Sequence, residues 1–291
     1  MTVRPLAFST LGCPGLPLPE VAALAATSGW PGLELRAAPD EPTHVDLTPT
    51  HRRQARETLY AAGARPLVVA SYVRVADDAV DDATCVADAL AHAALAADLG
   101  CPYLRVFPGA TELARLTAPP GAGDPARVDE PGRTDLPELA RERAAADERA
   151  VRRLWAVATD LPAGVTVLLE THDSHPRGAD VARILRAVDH PRVRAGWDLL
   201  HPWRHGEPVT ATAAILRPWL AHVQLKDVRS TTALDPVFLG TGIVPLADAL
   251  GALRAVGYGG ALSLEWEAKW FPDAPPLAEA LRRGADWLAG R

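Results

Sequence analysis

Four strand-like segments in the second half of the chain each end in a side chain that can bind a metal ion. These side chains belong to Glu170, Asp198, Gln224 and Glu265. A buried apolar strand is a costly place for a carboxylate that has no partner. One acid at a strand end is usually an ordinary loop residue, but four successive strands that end in such side chains suggest that these side chains bind one ligand together. The pattern predicts a divalent cation held in common by these strands.

The elements that must position these side chains alternate regularly along the chain. Short β-rich runs follow helical patterns throughout, which predicts βα units and a parallel sheet. Eight units in 291 residues favour a (β/α)8 TIM barrel in a single domain, 1–291, over an open doubly wound sheet. The candidate strands lie at residues 5–9, 31–36, 65–71, 102–107, 165–170, 192–198, 220–225 and 261–266.

Barrel geometry places the four candidate ligands at one mouth. The active site of a TIM barrel lies at the C-terminal ends of its strands. His222 is a rival ligand to Gln224, because alternation puts both on the same face of their strand. His222 would lie about 6–7 Å deeper in the barrel. We prefer Gln224, and the choice between the two stays open.

Three cationic side chains lie on strands that lead to the same mouth. They are Arg36, Arg105 and Lys226. A cation near a strand end can hold a substrate phosphate or carboxylate, or it can balance the acids around it. Glu267 shares a strand face with Glu265 and can bind a sugar hydroxyl or pair with one of these cations.

One segment interrupts the alternation of strands and helices. Residues 108–134 contain nine prolines and glycines, which predicts that no regular helix forms there. The segment follows the fourth strand at the predicted active-site end. A long loop in this position is typical of a lid, and a simple mobile insertion is the alternative.

Composition excludes several classes of protein. The formal charge is −6 with no basic run, which disfavours partners such as nucleic acid or an anionic membrane. No apolar run is long enough to span a bilayer, and no signal peptide is evident. Three scattered cysteines are typical of a reduced compartment. We expect a cytoplasmic protein that acts on small molecules, and a homo-oligomer remains open.

Six short motifs follow one another in the order of the strands. They are FSTLG at 8–12, GLELR at 32–36, ETH at 170–172, DLLH at 198–201, HVQLKD at 222–227 and LEWE at 264–267. As an ordered set they resemble the xylose-isomerase-like TIM-barrel sugar (phosphate) isomerase/epimerase superfamily. That superfamily includes ketose 3-epimerases, hydroxypyruvate isomerase, inosose dehydratase and, more distantly, endonuclease IV. The resemblance covers nearly the whole chain.

The resemblance implies roles for individual residues. It implies a metal held by Glu170, Asp198, the residue at 224 and Glu265, with Glu170 and Glu265 doubling as the acid/base pair. His201 matches a histidine that contacts substrate oxygens, and His172 matches another polar pocket position. The endonuclease IV branch is disfavoured, since its trinuclear zinc cluster needs histidines that this chain does not place in that way.

Position 224 departs from the common pattern of the superfamily. It is most often histidine there, whereas this chain has Gln224, as hydroxypyruvate-isomerase-like members have an amide. An amide oxygen can ligate a hard cation. Three carboxylates and an amide oxygen favour Mn²⁺ or Mg²⁺ over Zn²⁺, which prefers nitrogen and sulfur.

These features predict a metal-dependent sugar or hydroxy-ketone isomerase or epimerase of carbohydrate metabolism. A glutamate removes the proton next to a carbonyl, and the resulting enediolate is reprotonated by a carboxylate on the other side. A lyase of the inosose-dehydratase or C-glycoside-cleaving kind is the runner-up, because the same intermediate can expel a leaving group. A non-catalytic sugar-binding or assembly relic is the third reading, and the departure at Gln224 is the reason to keep it.

Overall fold

Eight parallel strands close into a barrel in the computed structural model, which describes residues 5–117 and 137–291. The strands pair in chain order, and Leu6 opposite Leu262 closes the ring between the first and the last. The predicted TIM barrel is therefore confirmed. The strands are β1 (Leu6–Ser9), β2 (Gly32–Arg36), β3 (Arg65–Arg74), β4 (Tyr103–Phe107), β5 (Thr166–Glu170), β6 (Val193–Asp198), β7 (Leu220–Leu225) and β8 (Leu262–Leu264).

Helices fill the connections between the strands. Local sequence explains their ends: Asp81 caps the third helix by accepting a hydrogen bond of 2.9 Å from the Thr84 backbone, and Gly100 ends it in a left-handed conformation. No helix within residues 5–117 and 137–291 is long and apolar enough to cross a membrane. The helices are α1 (Leu18–Ser28), α2 (Pro49–Ala61), α3 (Asp82–Leu99), α4 (Thr111–Thr117), α5 (Pro137–Asp160), α6 (Gly178–Val188), α7 (Leu200–Arg204), α8 (Val209–Leu216), α9 (Leu246–Ala255) and α10 (Leu277–Ala289).

Alternation along the strands separates an apolar layer from a polar interior. On β2, Leu33 and Leu35 are fully buried in the core between sheet and helices, whereas Glu34 and Arg36 belong to the polar side chains inside the barrel. Side chains alternate between the two faces in the same way on β4, β5 and β7. Barrel closure therefore gathers polar side chains from strands that are far apart in sequence.

The last strand is shorter than predicted. It ends at Leu264, and its pairing with β1 ends at the same level, where Phe8 lies opposite Leu264 and β1 soon gives way to a 3₁₀ turn. Glu265 is thus the first residue beyond the strand. Its backbone N–H still donates to the Leu225 carbonyl at 2.9 Å, so the side chain keeps its place at the strand ends.

The segment after β4 begins differently from the prediction. After Pro108 and Gly109 the chain forms α4, so the expectation of no regular helix is wrong for 111–117. Glu112 favours the first turn of this helix, and the proline-rich stretch begins only at Pro119. The lid predicted over 108–134 falls largely on residues 118–134, which lie outside the described residues.

Candidate active site

Two of the four predicted ligands, Asp198 and Glu265, contact the ammonium group of Lys226. Its Nζ lies 2.9 Å from Asp198 Oδ2 and also contacts Glu265 Oε2. A third carboxylate, that of Glu267, accepts a hydrogen bond of 2.6 Å from the same nitrogen. Lys226 is only 4% exposed. Side chains from β6, from the end of β7 and from the loop after β8 therefore meet at one buried point.

Gln224 links this point to a deeper polar layer inside the barrel. Its Nε2 donates to Glu34 Oε1 at 2.8 Å and to Glu265 Oε1 at 3.2 Å. The other oxygen of Glu34 lies 2.9 Å from His222 Nε2 and accepts a hydrogen bond of 3.0 Å from Ser263. His222, the rival ligand, is thus in contact with a carboxylate below the strand ends.

Glu170, the fourth predicted ligand, lies beside Arg105 on the neighbouring strand. Glu170 Oε2 is 3.1 Å from Arg105 Nε. The guanidinium also donates to the Ser71 carbonyl at 2.8 Å and lies 3.8 Å from the ring centroid of Phe107. Arg105 is therefore fixed from three sides.

Two histidines extend the site across the ends of β5 and β6. The rings of His172 and His201 are 4.4 Å apart between centroids, and His201 Nε2 lies 3.2 Å from Asp198 Oδ2. One ligand atom from each histidine and one from Glu170 all lie within 4.8 Å of one another. His172 Nδ1 lies 3.3 Å from Asp173 Oδ2.

Three buried oxygens at the site accept no hydrogen bond from the described residues. They are Glu170 Oε2, Asp198 Oδ2 and Gln224 Oε1. The two carboxylate oxygens lie near cationic nitrogens, but without hydrogen-bond alignment. Buried polar atoms normally have a partner. One oxygen on each of three predicted ligands can therefore still bind a partner, which fits a cation-binding role.

Burial sets Glu265 apart as a candidate base. Burial raises the pKa of Glu265 to about 8; Lys226 opposes the shift, while Asp198 and Glu267 add to it. Burial alone would lower the pKa of Lys226, but the three surrounding carboxylates raise it well above its usual value. A charged lysine therefore faces a carboxyl that ionises near neutral pH, as general acid/base chemistry requires.

The other ionisable groups of the site respond to different neighbours. Burial raises the pKa of Glu170 well above its usual value, and Arg105 only partly opposes this. Burial acts in the same direction on Asp198, but Lys226 and His201 outweigh it and hold its pKa well below the usual range. Burial and His201 together lower the pKa of His172 to about 4, so its imidazole is neutral at pH 7.

Arg36 lies outside this cluster of contacts. Its guanidinium contacts Asp40 at 2.9 Å and Glu41 at 2.5 Å, and its Nε donates to the Tyr72 hydroxyl at 2.7 Å. The half-exposed Trp270 ring lies 5.9 Å away. Arg36, Arg105 and Lys226 are thus each paired with acids, and their contact with a substrate stays a prediction.

Sequence reasoning missed several contributors to the site. Glu34 was not among the predicted ligands, yet it is fully buried and bridges β7 and β8. Asp173 and Phe107 had no assigned role. A usable signal existed for Glu34, since it is an acid within the apolar run of a strand. Asp173 gave a weaker one, as an acid directly after a histidine.

Comparison with known proteins gives the family context. A family model described as xylose isomerase-like TIM barrel matches residues 22–291. The 3-dehydroshikimate dehydratase of Bacillus anthracis is 33% identical over 98 residues. That match covers 29% of this chain and 34% of the relative, so it spans about a third of the relative's length.

Three solved structures match nearly the whole chain. The probable 3-DHS dehydratase involved in petrobactin synthesis, from Bacillus anthracis, has a TM-score of 0.71 at 20% identity, covering 98% of this chain and 99% of the other. The IOLI protein with a bound zinc atom scores 0.74 at 15% identity, covering 98% and 96%. D-psicose 3-epimerase from Clostridium cellulolyticum H10 scores 0.73 at 13% identity, covering 98% of both chains. At these identities the likenesses establish the fold.

Proposed function

This chain belongs to the xylose isomerase-like TIM barrel family, and we propose that it is a divalent-metal-dependent isomerase or epimerase. The proposed substrate is a sugar or a hydroxy-ketone, and the reaction begins with removal of the proton next to its carbonyl. The observation that carries the proposal is the meeting of Asp198, Gln224 and Glu265 at the strand ends, where buried oxygens are left without hydrogen bonds.

Glu170, Asp198 and Gln224 are the proposed anchors of the cation, because each keeps one buried oxygen without a hydrogen bond. Glu265 completes the set predicted from sequence, and its part in cation binding stays a prediction. A bound divalent cation supplies positive charge that stabilises a developing enediolate. Mn²⁺ or Mg²⁺ is the prediction from the oxygen-rich set, and Zn²⁺ is the alternative, because the IOLI protein was solved with a zinc atom.

Glu265 is the proposed base. Glu265 is 6% exposed and its pKa is about 8, so roughly a tenth of its carboxyl is ionised at pH 7 and that share rises as the pH approaches 8. Lys226 contacts one of its oxygens and Gln224 donates to the other, which fixes the carboxylate plane. Glu170, whose pKa is also raised, is the proposed acid that returns the proton.

The remaining polar side chains of the mouth are proposed to bind substrate oxygens. These proposed contacts are His172, His201, Lys226, Glu267, Arg105 and Arg36. Lys226 and Glu267 already contact each other, so a hydroxyl placed between them can donate to the carboxylate and accept from the ammonium.

Dehydration is the second candidate reaction. The 98-residue match to 3-dehydroshikimate dehydratase, and the whole-length likeness to a probable enzyme of that activity, favour it. The first proton transfer is the same in both reactions. They differ in whether the intermediate regains a proton or expels a hydroxyl group, which leaves as water once protonated.

Product mass separates the two reactions. The cation-reconstituted protein is incubated with ketoses, hydroxy-ketones and 3-dehydroshikimate, and products are identified by mass spectrometry and NMR. An isomer of unchanged mass supports the proposal. A product lighter by one water, from 3-dehydroshikimate alone, makes the protein a dehydratase. A protein that binds no cation and converts nothing in this panel would favour a non-catalytic barrel.

A further inference from the structure

Glu34 on β2 lies at the centre of a buried hydrogen-bonded group inside the barrel. Its side chain is fully buried. One carboxylate oxygen, Oε2, lies 2.9 Å from His222 Nε2 and accepts a hydrogen bond of 3.0 Å from Ser263. The other oxygen, Oε1, accepts a hydrogen bond of 2.8 Å from Gln224. Contacts with β7 and β8 therefore fix the positions of both carboxylate oxygens.

Glu34 determines which end of the Gln224 amide faces it. Burial alone would raise the pKa of Glu34, but the contact with His222 and the charge of Arg105 lower it overall. Glu34 is thus an ionised carboxylate, which can accept a hydrogen bond but cannot donate one. The amide atom 2.8 Å from its oxygen must therefore be the nitrogen, Nε2, and the amide oxygen must face away from Glu34.

The amide oxygen of Gln224 is the end that stays available. This atom, Oε1, is buried and accepts no hydrogen bond from any residue that the structure describes. Asp198, another predicted ligand, lies opposite Gln224 on the neighbouring strand and also has a buried oxygen without a hydrogen bond. A hard cation binds oxygen atoms, whereas the NH₂ group of an amide only donates hydrogen bonds. Only one of the two amide orientations can therefore ligate a cation.

Side-chain amides are otherwise nearly absent from this protein. The sequence contains no asparagine and two glutamines, Gln54 and Gln224. Gln54 is exposed on α2. The one buried side-chain amide thus occupies a predicted ligand position, and it lies beside a carboxylate that fixes its orientation.

We infer that Glu34 is a positioning residue of the cation site, which holds the Gln224 amide so that its oxygen, and not its nitrogen, faces the cation. This inference rests on the proposed function and deepens it, because it explains how an amide can serve at position 224. Glu34 is not itself a ligand, since both of its oxygens are engaged with β7 and β8. His222, the rival ligand, instead helps to hold Glu34 in place.

The side-chain amide signals of the metal-free protein test the orientation directly. Because only Gln54 and Gln224 carry such groups, a ¹⁵N–¹H spectrum contains two pairs of side-chain amide signals. The pair that is missing from Gln224→Glu belongs to Gln224. Hydrogen bonds to buried carboxylates should make its protons exchange with solvent more slowly than those of Gln54. In Glu34→Gln the Gln224 pair should shift and exchange faster, while the Gln54 pair stays unchanged.

Mn²⁺ titration of the metal-free, full-length protein by calorimetry measures the consequence for cation binding. Glu34→Gln should weaken Mn²⁺ binding about 10–100-fold, as replacing an outer partner of a metal ligand usually does. Glu41→Gln is the matched control, because it also removes a buried carboxylate, one that pairs with Arg36 rather than Gln224. It should bind Mn²⁺ like wild type.

A double-variant comparison separates amide orientation from loss of charge. Gln224→Glu places an oxygen at both ends of the side chain, so its orientation no longer matters. Adding Glu34→Gln to Gln224→Glu should therefore leave Mn²⁺ binding as strong as in Gln224→Glu alone. Equal weakening by Glu34→Gln with and without Gln224→Glu would overturn the inference, because charge or barrel structure would then explain the loss.

The remaining outcomes separate the inference from the proposed function. Glu34→Gln that binds Mn²⁺ like wild type overturns the inference and leaves the function standing. Gln224 signals that exchange as fast as those of Gln54 in the wild type overturn it without any variant. A wild-type chain that binds no cation overturns both. Cation binding that depends on Glu34, with no conversion of any substrate in the panel, overturns the function alone.

Discussion

At the scale of single residues, Glu265 has the surroundings of a general base. We predict that Glu265→Gln loses turnover while cation binding is at most weakened. The amide keeps an oxygen and nearly the same shape, but it cannot accept a proton at neutral pH. The expected loss is on the order of 10²–10⁴-fold. The measurements are the turnover rate and the cation content of the same preparation.

Glu57→Gln is the matched control, because Glu57 is exposed on α2. It should retain wild-type turnover and cation content. A Glu265→Gln enzyme with wild-type turnover would show that the proton chemistry belongs to another residue, with Glu170 and Glu267 the next candidates.

Lys226 neutralises the acids of the site, so its removal should cost stability. Lys226→Met keeps the apolar stem but leaves Asp198 and Glu265 without their buried partner. Breaking a buried ion pair on one side costs about 3–5 kcal/mol. We predict that the free energy of unfolding falls by that order in the presence of a chelator, as measured by urea denaturation.

A saturating divalent cation should reduce the difference in the free energy of unfolding between Lys226→Met and wild type, because it supplies positive charge to the same carboxylates. Lys269→Met is the control, since Lys269 forms a more exposed pair with Asp40. Equal stability of Lys226→Met and wild type under chelation would contradict the role given to Lys226.

At the scale of elements, the loop between β7 and α9 depends on two features of Gly240. Its φ is +81°, and a Cβ there would lie 2.0 Å from the indole nitrogen of Trp287 in α10. Gly257 also has a positive φ, of +73°, but open space around it. We predict that Gly257→Ala lowers the free energy of unfolding by about 1–2 kcal/mol, because alanine is strained in the left-handed conformation.

Gly240→Ala should lower the free energy of unfolding by about 1–3 kcal/mol more than Gly257→Ala does, because its Cβ overpacks against the indole. Thermal and urea unfolding of the two variants side by side measure the difference. Equal losses would mean that the indole moves aside at little cost.

Asp147 joins α5 to the loop after β5 and to α6. Its Oδ1 lies 2.9 Å from Nε2 of the fully buried His175, and Oδ2 accepts a hydrogen bond of 2.5 Å from Arg183. Burial alone would raise the pKa of Asp147, but hydrogen bonds from His175 and Arg183 lower it overall. A carboxyl whose pKa is lowered by folding stabilises the protein above its unfolded pKa, near 3.9.

Asp147→Asn should therefore lower the free energy of unfolding by about 1–3 kcal/mol at pH 7. The difference from wild type should shrink as the pH falls below about 4. Urea unfolding at pH 7, 5 and 3.5 checks this, with the exposed Asp46→Asn as control. A difference that does not change with pH would assign the loss to shape rather than to charge.

Local patterns explain which elements were predictable from sequence. Short β-rich runs that alternate with helical patterns are local signals, and they predicted eight strands in the right places. The early end of β8 was not predictable, since it depends on where its neighbour β1 stops pairing. The helix at 111–117 was missed because the proline and glycine content was averaged over the whole segment.

At the scale of the whole molecule, closure of the barrel makes contacts that no local pattern reveals. His222 and Glu34 are 188 residues apart in sequence but 2.9 Å apart in space. Sequence identified most of the acids at the mouth because each ends a strand. It could not show that Lys226 pairs with three of them, or that His172 and His201 approach Glu170. Those contacts depend on strand tilt and on the path of each loop.

Exchange of the substrate proton next to the carbonyl with deuterated solvent tests the central claim most directly. NMR follows this exchange in the cation-loaded protein, the chelated protein and Glu265→Gln, with the substrate identified from the panel. The account predicts exchange in the loaded wild type and its loss, by on the order of 10²-fold or more, in the other two. Exchange that persists in the chelated protein, or in Glu265→Gln, would contradict it.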